Sequence, residues 1–258
     1  MRVPRAFVFL SIFALSLLAS AAAQQTASTS SPQAIQLLQR ALLALTSGPL
    51  PADISLTGTV RRIAGSDDET GQATLTATPT DSRVDFNLPS GKRSEVHRIA
   101  ALAGSWSDSD GVSHQLPFHN VLTEPAWFFP SFAIGRGLSA SGHLAAYIGQ
   151  ETKDSQTVEH LSISQQSADS GNVPALVQRL SQTDLYLDST TLLPVALTFN
   201  IHPDNNAVLD VPIEIRFSDY RSINGIQVPF HVQKFLNNSL ILDLQFSTAT
   251  LNTGFSAS

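Results

Sequence analysis

The chain is 258 residues long, carries 15 basic residues against 21 acidic ones for a formal net charge of −6, and contains no cysteine. That balance leaves no basic stripe to neutralise phosphates, which excludes a nucleic-acid binder and a protein held on anionic membranes by charge. The missing cysteines exclude a disulfide framework and a lipidated N-terminal cysteine, so the fold rests on a hydrophobic core, which a chain of this length builds by burying roughly 70% of its unfolded surface.

Residues 1–23 read as a cleavable signal peptide. Arg2 and Arg5 precede an uncharged apolar run from Ala6 to Ala19, and Ala21 and Ala23 fit the A-x-A pattern that places cleavage between Ala23 and Gln24. The run is shorter than the roughly 20 apolar residues of a membrane span, and no later stretch approaches that length, so the mature chain is expected to hold no transmembrane segment. An exported chain of this size without cysteine points to a bacterial periplasm, with secretion or display on the cell surface as the alternatives. Removing Arg2 and Arg5 leaves 13 basic against 21 acidic residues, a mature net charge of about −8.

Residues 24–31 form a polar tail expected to be flexible, and 32–258 a single domain. Ser31 and Pro32 supply an N-cap and a first-turn proline. Ile35, Leu38, Leu42 and Leu45 recur at helical spacing, and Gly48-Pro49 close a helix over Pro32 to Ser47. Strand patterns follow. Ile54, Leu56 and Val60 alternate with polar residues, as do Val84, Phe86 and Leu88. Four later runs keep strict parity: Leu193 to Ile201, Val211 to Phe217, Ile226 to Val232 and Leu240 to Phe246. Period-two alternation buries one face and wets the other, the signature of an antiparallel sheet.

Asp110-Gly111, Asn224-Gly225 and Asn237-Asn238 read as two-residue hairpin turns, and Ser66 to Gly71 as an acidic loop closing the first hairpin. Pro212 and Pro229 mark edge strands or bulges. In the centre, Asn120 to Ile134 packs Trp127, Phe128, Phe129 and Phe132 among prolines, with Thr123 and Pro125 set as a helix start; Gly135 to Gly142 reads as a mobile connection. A short helix over Val173 to Leu180 precedes the last four strands.

No residue pattern carries a catalytic role. Gly137-Leu-Ser139-Ala-Ser141-Gly142 puts serine where the hydrolase elbow needs its second glycine, and no serine lies three residues before Lys92, Lys153 or Lys234. No metal site is assigned: His114 and His119 are separated by Pro117, and His202 and His231 fall on the polar parity of strands, where a solvated surface position is expected. The Asp67-Asp68-Glu69 run lacks the spaced oxygen ligands of a calcium loop. Gly135-Arg-Gly137-Leu-Ser-Ala140 follows no strand and is no dinucleotide loop. Asp108 and Asp110 flank a turn, where acidic residues are ordinary. Arg61-Arg62 and Lys92-Arg93 are read as solvated strand ends. No cofactor is implied.

Three segments near the C-terminus carry a resemblance: Asp184-Leu-Tyr-Leu-Asp188 leading to Leu193-Pro194, then Phe217-Ser-Asp-Tyr220-Arg221 with Asn224-Gly225 and Pro229-Phe230, then a final strand reaching Asn252 and Phe255. Together with the amphipathic opening helix they resemble LolA-like proteins, the periplasmic carriers that sort outer-membrane lipoproteins, and their uncharacterised relatives. The resemblance implies a mainly β fold in which a curved antiparallel sheet forms an incomplete barrel, covered by the N-terminal helix and short helical inserts, with acyl chains of a lipid or lipoprotein held on the apolar face. The family's Arg-Pro pair near the third strand is not matched, since Pro79 and Arg83 stand there in reversed order.

Trp127, Phe128, Phe129 and Phe132 therefore have two readings, a core plug or a lid lining an apolar ligand site. At the level of the whole protein, a non-enzymatic lipid or apolar-ligand binder of the periplasm stands beside a structural or interaction protein of the envelope with a filled core, and beside an unrecognised hydrolase. Protein partners are not named by any motif.

Overall fold

The computed structural model describes residues 29–139, 142–169 and 171–256. The expected signal peptide, the Ala23–Gln24 junction and most of the polar tail lie outside them. Helix α1 (Pro32–Leu45) starts where Ser31 Oγ accepts from Ala34 N at 3.0 Å and Pro32 occupies the first turn, where its missing N–H costs nothing. Leu38 and Leu45 of the expected stripe are buried, Ile35 and Leu42 partly so, and Ala34, Leu37 and Ala41 complete the buried face. The residues before the helix are tied down: Ser31 N donates to Ala145 O at 2.8 Å, and Ala145 N donates to Ser30 Oγ at 3.0 Å.

A first meander runs β1 (Ile54–Ala64), β2 (Asp67–Ala77), β3 (Asp81–Leu88), β4 (Gly91–Arg98), β5 (Ala103–Ser107) and β6 (Ser113–Gln115). Helices α2 (Phe118–Val121) and α3 (Pro130–Gly137) then lead to β7 (His143–Lys153) and β8 (Gln156–Gln165), followed by α4 (Val173–Leu180). The second meander finishes with β9 (Thr183–Asp188), β10 (Pro194–Ile201), β11 (Val211–Ile223), β12 (Ile226–Leu236) and β13 (Ser239–Leu251). All belong to one antiparallel sheet of order β6-β5-β4-β3-β2-β1-β13-β12-β11-β10-β9-β8-β7. β13 returns beside β1, joining the two meanders, while β6 and β7 are the edge strands of the sheet among the described residues. The barrel is therefore incomplete, and the helical insert connects its two edges.

The hydrophobic rhythm dictates which face turns inward. Ile54, Leu56, Val60, Leu75, Leu197, Ile215, Val228, Val232 and Leu244 are all fully buried. Hairpins close as their turn chemistry requires: Asn224 and Gly225 have φ of 50° and 81°, and Asn237 and Asn238 have 47° and 64°, the left-handed pair that matches strand twist. Asp154 and Ser155 make the same kind of turn without glycine or asparagine, at 48° and 65°. The residues carrying the family resemblance meet across the sheet, where the Tyr220 hydroxyl donates to Pro194 O at 2.8 Å.

Several expectations are corrected. The first hairpin turns at Gly65-Ser66, so Asp67 to Gly71 belong to β2 rather than a loop; Arg61 pairs with Asp68, and Glu69 accepts from Ser90, giving the acidic strand partners. Asp110-Gly111 sits in a longer turn between paired Ser107 and Ser113. Pro212 and Pro229 lie in interior strands, tolerated because the β11–β12 ladder starts only at Ile213 and the β12–β13 ladder only at His231. In β10 a register shift between Pro194 and Ala196 leaves Val195 half-buried and brings Ala196 inward. α4 matches the expected range and is followed by five strands, not four.

The central insert also differs. Thr123 and Pro125 begin only a turn, and the helix starts at Pro130. Gly135 and Gly137 are not a mobile connection but part of α3. A Cβ on Gly137 would lie 2.8 Å from Leu38 Cδ1 and 2.9 Å from Ile163 Cδ1, and one on Gly135 2.7 Å from Leu50 Cδ1. Glycine here lets α3 approach α1 and the sheet closely, which outweighs its helix penalty of about 1 kcal/mol.

Candidate functional site

The aromatic segment fills part of the inward face. Phe128, Phe129 and Phe132 are no more than 1% exposed, Phe129 and Phe132 meet edge to face at 4.9 Å, and Trp127 meets Phe128 likewise at 5.4 Å. The segment is pinned at both ends. Buried Glu124 accepts from Arg136, which also donates to Pro79 O at 2.9 Å, and Asn120 exchanges two hydrogen bonds with the backbone of His202, at 2.8 and 2.9 Å.

The plug stops short of the far end of the sheet. There a cleft of about 700 Å³ opens among β1, β3, β4, β5, β12 and β13, with Trp127 as its inner wall. Val84, Phe86, Trp106, Leu240 and Leu242 supply further apolar surface. Both tryptophans of the chain thus face one cavity. Its volume falls within the roughly 300–1,000 Å³ of small-molecule sites.

Charged side chains also enter the cleft, and strand register explains how. In β12, Lys234 continues the inward row Ile226, Val228, Phe230, Val232. It stands opposite Leu242 in β13, which stands opposite Arg62 in β1. In β4, Arg93 and Glu95 lie opposite inward Phe86 and Val84. Arg62 and Arg93 are therefore not solvated strand ends: they are 23% and 17% exposed, while their neighbours Arg61 and Lys92 are 50% and 59% exposed.

Lys234 Nζ lies 4.5 Å from the centre of the Trp127 ring, a cation–π contact. Its burial in the cleft lowers its pKa, opposed by the charge of Glu95. Burial also works against the Glu95 carboxylate, but His97 Nε2 donates to it at 3.1 Å and Lys234 and His97 attract it, holding it at about 2. Glu95 is thus an anion hydrogen-bonded to His97, with its charge felt by both His97 and Lys234. Asp108 is occupied by Arg93 and by Ser109 N.

The other residues weighed from sequence do not converge. His114 stacks on Trp106 at 4.4 Å, whereas His119 bonds to Pro203 O at 3.2 Å. Among the described residues no group of three His, Asp or Glu side chains is arranged to hold a metal ion. His202 is corrected from a solvated position to a buried one, 3% exposed, because the 203–210 loop folds over it and Asp210 meets its Nε2 at 2.9 Å. A second, polar groove of about 470 Å³ lies on the outward face, where Lys153 is already matched by Glu214 at 3.0 Å.

The described residues thus form an open antiparallel half-barrel, filled by helices at one end and hollow at the other. The chain has the LolA-like fold. It is similar to a domain provisionally described as an outer membrane lipoprotein-sorting protein from Vibrio parahaemolyticus, at 10% identity over 87% of this chain and 94% of that one, with a TM-score of 0.52. A DUF1329 family protein from Desulfovibrio piger matches at 12% identity, 87% and 94% coverage and a TM-score of 0.52. A LolA superfamily protein from Nitrosomonas europaea matches at 12%, 84%, 93% and 0.51. At these identities the shared property is the fold. No protein-family model matches the sequence, and no curated protein matches it.

Proposed function

We propose that this is an exported, non-enzymatic binding protein of the bacterial envelope whose cleft takes the acyl chain of a lipid or lipoprotein. The observation that carries the reading is the 700 Å³ cleft on the inward face, walled by both tryptophans and by leucines of β13. Burying a chain there is worth about 0.8 kcal/mol per methylene. Trp127 contacts the ligand in this reading, and Phe128, Phe129 and Phe132 form the packed backing that fixes Trp127 in place. The LolA-like fold and the lipoprotein-sorting description of one structural neighbour support the assignment. Export rests on the pattern of residues 1–23, and N-terminal sequencing of protein from the cell envelope should begin at Gln24; an intact Met1 would refute it.

The test of binding is titration with a fluorescent fatty acid. Leu240→Trp should narrow the cleft and weaken uptake about tenfold or more, the equivalent of losing two buried methylenes, with an unchanged far-ultraviolet spectrum. Saturable uptake unaffected by Leu240→Trp would place the ligand elsewhere.

A further inference from the structure

The polar groups of the cleft are unbalanced in one direction. Among the described residues, Trp127 Nε1, on a ring 3% exposed, and Arg93 Nε are buried without a hydrogen-bond acceptor, and buried Arg62 Nη1 faces only Glu69 Oε1 at 3.7 Å, an ion pair too long for a hydrogen bond. All three are donors, and all three residues line the cleft. Lys234 adds an ammonium that rests on the face of Trp127 rather than on a carboxylate. On the acceptor side, the cleft's two carboxylates are engaged, Glu95 by His97 and Asp108 by Arg93 and Ser109 N. Of the lining's three cations, Arg93 is matched by Asp108 and Arg62 faces Glu69 at 3.7 Å, whereas Lys234 forms no ion pair among the described residues and feels only the nearby charge of Glu95.

A buried donor without an acceptor is costly, as is a cation held away from water. A neutral hydrocarbon would leave these groups as they are. An oxyanion at the head of the chain would satisfy them, and the register shows where it belongs: Lys234 and Arg62 flank Leu242 on neighbouring strands, so cation and apolar floor lie side by side.

We propose that the cleft selects an amphiphile with an acidic head, the chain lying over Leu240, Leu242 and Phe86 and the oxyanion meeting Lys234, with Arg62 and Trp127 Nε1 as further donors. This deepens the acyl-chain reading and rests on it. Lys234 is a specificity residue in this account, and Glu95 works against the ligand's charge.

The experiment compares three amphiphiles of one chain length, dodecanoate, dodecanol and dodecyltrimethylammonium, on the full mature chain by quenching of its tryptophans. The native protein should bind dodecanoate about tenfold or more tightly than dodecanol, as expected for one charge-assisted hydrogen bond, and the ammonium most weakly. Lys234→Met should bring the ratio of dodecanoate to dodecanol affinity close to one, Lys234→Arg should keep the preference, and Glu95→Gln should raise that ratio. Equal binding of dodecanoate and dodecanol, a preference for the ammonium, or a preference that survives Lys234→Met would overturn the head-group assignment and leave the acyl-chain reading standing. Binding of none of the three would remove both. If Lys234→Met does not fold, the rank order on the native protein and on Glu95→Gln decides the matter.

Discussion

Replacing Arg136 by methionine strands the Glu124 carboxylate. The Glu124 side chain is 1% exposed, and without Arg136 its remaining hydrogen bond is from Ala126 N at 3.2 Å. Breaking a buried ion pair from one side costs about 3–5 kcal/mol, because the other charge stays buried and unpaired. In a domain of this size that corresponds to a melting temperature lower by about 6–20 °C. Urea unfolding followed by tryptophan fluorescence measures it, since Trp127 lies three residues from Glu124. Arg136→Met with Glu124→Gln should recover most of the loss, because no buried charge remains and an amide tolerates the site far better. A single variant within about 0.5 kcal/mol of the native protein, the range of an ordinary surface change, would refute the reasoning. So would a double variant less stable than the single one, which would mean that the unpaired charge is not the cause.

His202 gives a pH test. Burial holds its folded pKa below the ordinary 6.5, with Asp210 partly opposing. The unfolded chain therefore binds the proton more readily, so the stability His202 confers is fully present above about 6.5 and is lost as pH falls from there towards the folded value. His202→Gln keeps a hydrogen-bond donor for Asp210 and should flatten that acid-side slope in stability measured between neutral and mildly acidic pH; an unchanged slope would assign it to other groups.

Much of the fold was legible because its causes are local. The runs Val211 to Phe217, Ile226 to Val232 and Leu240 to Phe246 alternate as half-buried strands must, and Ser31-Pro32 and Asn224-Gly225 carry their own backbone geometry. What was illegible depended on tertiary packing. Gly135 and Gly137 looked like hinge residues because glycine lowers local helix propensity, yet contact with Leu38, Leu50 and Ile163 selects them inside a helix. His202 looked solvated by strand parity, but a following loop covers it.

The cleft was missed for a related reason. A search for alternating apolar residues passes over Arg62, Arg93, Glu95 and Lys234, although each holds an inward position. Lys234, two residues beyond Val232 on the buried row of β12, was the available signal: a cation on an apolar parity. Only the pairing of β12 with β13 and of β13 with β1 shows that Lys234 and Arg62 face one space.

The central claim, that the far end of the half-barrel is a site for an acyl chain, is tested most directly by a chain-length series. Affinities of straight-chain carboxylates from hexanoate to hexadecanoate, read from Trp106 and Trp127 fluorescence, should rise about fourfold per added methylene and then level off once the cleft is full. Affinity independent of chain length, with no change in tryptophan emission, would contradict the account.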